Sequence, residues 1–180
     1  MPRAVSTTAS NQVGLDFTAE VRRLCQDIVA RLEEFAHVDM QRVGISLCRS
    51  RADGRHGLQA TLTPLRFEGG ARIGRRRGRQ YKVERCLDES GRELLYVLSL
   101  YLPRFCQNSW REKLLTIVHE LWHIGPQFDG DLRRFAGRCF AHGRSQRAYD
   151  AQVSRHFDRW LSAGPPPELY DFLHHDFDEL

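Results

Sequence analysis

The chain has 180 residues, 41% hydrophobic and 28% charged, proportions of a soluble globular chain with material for one core. No run of about 18 apolar residues occurs, which argues against a membrane-spanning helix, and Met1 to Asn11 lack the apolar stretch of a secretory signal. The net charge of +4 is mildly basic and does not by itself imply a nucleic-acid partner.

Residues 1–15 are expected to form a polar tail without structure, 16–163 one domain, and 164–180 an acidic, aromatic C-terminal segment. From Phe17 to Phe35 the spacing of Val21, Leu24, Ile28, Leu32 and Phe35 predicts an amphipathic helix. Val43, Ile45 and Leu47 alternate as in a half-buried strand, and Asp53-Gly54 marks a turn. Leu58, Ala60 and Leu62 alternate again, and Pro64 limits that strand or places it at an edge. Arg72, Arg75, Arg76, Arg77, Arg79 and Lys82 then form a basic run with no acid. Such a run is either a phosphate-contacting patch for DNA or RNA or, more commonly, a solvated arm between strands. Tyr81 to Cys86 reads as a strand, and Asp88 to Gly91 as a turn. Leu94 to Leu102 reads as a strand buried on both faces. A helix, several strands and further helices make an α+β plan with a mixed or antiparallel sheet.

Ser109-Trp110-Arg111-Glu112 has the form of a capping box, and Gly125-Pro126 of a helix stop. Between them lies Val118-His119-Glu120-Leu121-Trp122-His123. Two imidazoles four residues apart share a helix face and can reach one metal ion, with the Glu120 carboxylate beside them. This is the His-Glu-x-x-His pattern of zinc-dependent hydrolases.

A catalytic zinc site takes a third protein ligand. Asp129, six residues past His123, matches one known third-ligand spacing, but Pro126 stands where that pattern needs glycine. His142, followed by Gly143 just before the next helix, is preferred because imidazole suits zinc. Asp129 would then be free to orient a ligand imidazole. That next helix spans about Ser145 to Leu161, with Tyr149, Val153, Phe157 and Trp160 as its core stripe, and Gly164-Pro165-Pro166-Pro167 ends it. The remainder, Glu168 to Leu180, is expected as a short docking helix that covers the cleft. Tyr149 or Arg133 are candidates to stabilise an oxyanion. His37, His56, His156, His174 and His175 show no ligand pattern. The five scattered cysteines, Cys25, Cys48, Cys86, Cys106 and Cys139, fit reduced thiols in the cytoplasm.

The segment Arg111 to Ile124, with Phe128-Asp129-Gly130-Asp131-Leu132-Arg133-Arg134-Phe135, Ala141-His142-Gly143 and Tyr149-Asp150, resembles the phage-type zinc metallopeptidases. The histidine-glycine step after the active helix is more loosely similar to the SprT-like proteases. The resemblance covers about Leu94 to Asp150. It implies a small zincin-like fold with His119 and His123 as zinc ligands and Glu120 as catalytic base, and the SprT-like step favours His142 as the third. The expected activity is peptide hydrolysis by a Glu-activated, metal-bound water. The competing expectations are an amidase acting on a non-peptide amide and a non-enzymatic zinc-stabilised module that binds nucleic acid through Arg72–Lys82.

Overall fold

Asp16 opens the first helix, α1 (Phe17–Arg31), by accepting the Ala19 N–H, as an N-cap aspartate does. Phe17, Val21, Leu24, Cys25 and Ile28 face the core. The helix ends at Arg31 rather than Phe35. Leu32 is extended, and Glu33–Phe35 make a 3-10 turn. The break buries both Leu32 and Phe35, whose ring meets Trp122 and His156 edge-on at 5.6 and 5.3 Å. Packing therefore overrides the helical spacing at this point.

The structure, a computed structural model, describes residues 14–50, 57–135, 142 and 145–179. The Asp53-Gly54 turn, Cys139 and all but the last two residues of the expected tail lie outside the described residues. The strands are β1 (Val43–Arg49), β2 (Ala60–Pro64), β3 (Ile73–Arg76), β4 (Arg79–Lys82), β5 (Cys86–Leu87), β6 (Glu93–Leu94) and β7 (Tyr96–Leu102). β7 is the middle of a three-stranded mixed sheet, parallel to β1 and antiparallel to β2. Its continuous apolar sequence suits that central place, and β2 is an edge strand ending at Pro64. β3–β4 and β5–β6 are separate antiparallel hairpins. The expected strand from Tyr81 to Cys86 is thus divided between two hairpins. The Leu94–Leu102 run breaks at Leu95, whose amide donates to the Arg42 carbonyl.

The second helix, α2 (Trp110–Trp122), starts with the capping box read from the sequence. Ser109 and Glu112 exchange side-chain-to-backbone bonds. Leu114, Ile117, Val118 and Leu121 are buried in one core with Tyr96, Leu98 and Leu100 of β7 and with Val153, Phe157 and Trp160 of α3 (Gln146–Ser162), and α2 lies against α3 and β2. The architecture is α+β. No helix among the described residues is long and apolar enough to cross a membrane.

The C-terminal segment forms two 3-10 turns, Pro167–Leu169 and Asp171–His174, in place of a docking helix. Phe172 and Leu173 enter the core, Phe172 edge-on to Phe17 at 5.4 Å. Tyr170 and His174 stack on Trp110. The buried Lys113 ammonium donates to the carbonyls of Leu173 (2.9 Å) and His175 (2.6 Å). The segment therefore docks at the start of α2, roughly 9 Å of helix before His119, and does not lie over the histidine pair.

Candidate metal centre

After His123 the chain turns back on itself. Ile124 pairs with Leu132, and the Arg133 N–H donates to the His123 carbonyl at 2.7 Å. Only glycine fits at position 125, because a Cβ there would stand 2.6 Å from the Asp131 carbonyl oxygen. The buried Tyr96 hydroxyl fixes the loop from below, donating to the Asp131 carbonyl at 2.7 Å and accepting the Gly130 N–H at 3.1 Å. Asp129 sits at the far end of this loop, accepting the Asp131 N–H at 3.0 Å and resting against Gly70. It is not in the histidine group and bonds to no ligand imidazole among the described contacts. The returning chain thus places Asp129 outside the histidine group.

His142 is brought there instead. The Nε2 atoms of His119 and His123 are 3.1 Å apart, and that of His142 is 3.2 Å from that of His123. All three ligand atoms fall within 4.8 Å of one another. Tetrahedral zinc with Zn–N bonds of about 2.0–2.1 Å would hold its nitrogens about 3.3 Å apart. Two of the three separations match that spacing and the third lies within 4.8 Å, so the three imidazoles could serve as donors to one metal ion.

Their protonation suits the same use. Burial, then repulsion from His119 and His142, pushes His123 down to about 3. Burial and His142 also lower His119. Both are held as neutral imidazoles, the form that binds metals. The Tyr149 hydroxyl lies 3.1 Å from His123 Nδ1 and 3.3 Å from the His119 carbonyl. With its proton given to the carbonyl, Oη accepts Nδ1–H, and the lone pair of His123 is left on Nε2. Burial, reinforced by Glu120, raises the phenol, so it stays protonated. Its ring is within 4.7 to 5.2 Å of all three imidazole rings.

Glu120 turns away to β2, where one carboxyl oxygen accepts the Leu62 N–H at 2.7 Å. Burial lifts its carboxyl to about 7 despite that bond. Arg133 is committed elsewhere. Its guanidinium stacks on Trp122 at 3.7 Å, and its Nε donates to the Trp122 carbonyl at 2.9 Å. A cavity of about 330 Å3 opens beside His142, lined by Trp122, Phe135, Ala148, Tyr149 and Gln152. A larger one, about 870 Å3, lies at the sheet end among Leu47, Ser50, Leu102 and Phe177 and includes none of the histidines.

No family model, curated protein or solved structure matches the chain. The likeness to phage-type metallopeptidases therefore stands on the motif residues alone.

Sequence reasoning overlooked two contributors. Leu62 acts through its backbone, which leaves no trace in the sequence. The sequence places Tyr149 in the core stripe or beside an oxyanion, whereas its hydroxyl sits on His123. Its place one turn into a helix that begins just after the candidate ligand His142 was the available signal.

Proposed function

We propose that the chain is a zinc-dependent metallopeptidase, with His119, His123 and His142 as zinc ligands and Glu120 as general base. The observation that carries the reading is the convergence of three imidazole nitrogens beside a helix turn that also bears a buried carboxyl lifted to about 7. A zinc ion there would act as a Lewis acid on water and on a substrate carbonyl. Glu120, half-protonated near pH 7, is suited to take a proton from the attacking water and return it to the leaving amine. The Leu62 N–H fixes the orientation of that carboxyl. Tyr149 holds His123 in its ligating tautomer.

The donor group has three members among the described residues, the number of a catalytic site; a structural zinc site closes with four. A buried carboxyl on the same turn has no use in a purely structural site. The cavity beside His142 is walled by Trp122, Phe135 and Ala148, which suits an apolar side chain of a peptide. The four free cysteines among the described residues, Cys25, Cys48, Cys86 and Cys106, support a reducing compartment, and we assign the activity to the cytoplasm.

The test compares metal content and peptide turnover in the wild type, His119→Ala, His142→Ala and Glu120→Gln. About one zinc per chain, lost in both alanine variants, is expected. Glu120→Gln keeps the bond to Leu62, so it should retain zinc and lose about a hundredfold or more in kcat. Full turnover in Glu120→Gln, or no zinc in the wild type, overturns the reading. Hydrolysis of small acyl amides without hydrolysis of peptides would move it to an amidase.

A further inference from the structure

The β3–β4 hairpin has an arrangement that its own stability does not favour. Its two-residue turn is Arg77-Gly78, both in the left-handed region (φ 49° and 77°). That backbone suits a tight hairpin but prefers asparagine or glycine to arginine at the first position. The register sets Arg76 opposite Arg79 and Arg75 opposite Gln80. Like charges facing each other across a strand pair are destabilising, and a lone two-stranded hairpin is marginal already. Every residue from Arg72 to Lys82 is exposed except the half-buried Gly74, where the Phe67 ring supports the hairpin's base.

The charges divide along its length. At the base, Arg72 and Lys82 both reach Glu84, at 4.0 and 3.1 Å. At the tip, among the described residues, Arg75, Arg76, Arg77 and Arg79 have no carboxylate within ion-pair distance. Four guanidinium groups are thus gathered at the end of a narrow ribbon, with no apolar residue among them. Ile73 and Tyr81 lie nearer the base. A tip that entered a lipid surface would carry its apolar residues outermost. Arginine is also the side chain whose planar fork matches phosphate oxygens. A two-stranded ribbon fits the B-DNA major groove, about 12 Å wide.

We propose that the tip of this hairpin binds the phosphodiester backbone of duplex DNA through Arg75, Arg76, Arg77 and Arg79. The interaction is separate from the metal centre and does not depend on its chemistry.

Binding of the full chain to a labelled duplex is measured by anisotropy across salt concentrations, for three proteins. These are the wild type, a variant with all four arginines changed to Gln, and one with all four changed to Lys. Each phosphate contact contributes about 0.9 to the slope of log affinity against log salt, so the four together contribute about 3.6. The wild type should lose about a hundredfold more affinity than the Gln variant on raising salt fourfold, whereas the Lys variant keeps the wild-type slope. Zinc content should be unchanged in both, and the thermal midpoint should not fall in either. Absence of salt-dependent DNA binding, an unaltered slope in the Gln variant or a lost slope in the Lys variant would overturn the proposal. So would tighter binding to phosphatidylserine vesicles than to the duplex, which would reassign the tip to anionic lipid.

Discussion

Tyr149→Phe removes a single hydroxyl at the candidate metal centre, and with it the bonds to His123 Nδ1 and to the His119 carbonyl. The phenyl ring can keep the stack on His123, at 5.2 Å between centroids and 25° between planes, so no cavity forms. What goes is the oxygen 3.1 Å from Nδ1. His123 is only 8% exposed, and water would not readily replace that partner. Leaving a buried N–H unsatisfied costs about 1–3 kcal/mol. Loss of a group that orients a metal-binding histidine typically lowers metal affinity by about 10- to 100-fold, or roughly 1.4–2.7 kcal/mol. The two estimates agree, so a zinc Kd raised about 30-fold is expected, read by competition with a chromophoric chelator at fixed pH. Under saturating zinc, kcat should change much less than Kd. A Kd within about twofold of wild type would refute the orienting role. So would a collapse of kcat with Kd unmoved, which would place the hydroxyl on substrate.

Lys113→Met removes two charge-assisted bonds to the C-terminal segment, and stability should fall by about 2 kcal/mol in urea melts. The segment should become protease-sensitive while zinc content is unchanged; equal protease resistance would count against the clamp. Acid should destabilise the metal-free protein through His119 and His123. Their folded pKa values lie below the usual imidazole value, so the unfolded chain binds more protons between about 3 and 6.5, and stability falls as pH drops through that window. Glu120, raised to about 7, acts oppositely between 4.5 and 7, and the lowered carboxyls of Glu93 and Asp131 add to the acid loss below 4.5, so the imidazole effect is read from the difference between wild type and a histidine variant. His123→Gln should flatten that part of the urea-midpoint profile relative to wild type, and parallel profiles would refute the linkage.

What could be read from the sequence was local. The capping box at Ser109 and Glu112, the stop at Gly125 and the i, i+4 pair of histidines need nothing beyond one helix, and α2 has them as expected. The uninterrupted apolar run to Leu102 identified a doubly covered strand, and β7 is the central one. The choice between His142 and Asp129 was not local. It depends on Gly125 allowing close passage of Asp131 and on a hydroxyl from Tyr96, distant in sequence, tying down the loop. The end of α1 was hidden for a related reason. Leu32 and Phe35 keep helical spacing, yet the pocket beside Trp122 draws Phe35 out of the helix. The basic run was visible as charge, but its hairpin register, and hence the facing of Arg76 and Arg79, was not.

The bond from Leu62 to Glu120 also bears on aggregation. Along β2 the amides of residues 59, 61 and 63 point toward β7, so Ala60, Leu62 and Pro64 face the open rim of the sheet. Proline has no donor to offer, and the Leu62 donor is already taken. An incoming strand from another molecule therefore finds only the Ala60 amide as a donor along this rim, which weakens pairing there. The side chain assigned to proton transfer thus also disfavours strand addition, and an inactive mutant made by truncating it to alanine would free the Leu62 amide. Self-association in such a mutant should be distinguished from lost chemistry, which makes the glutamine substitution the cleaner way to silence the site.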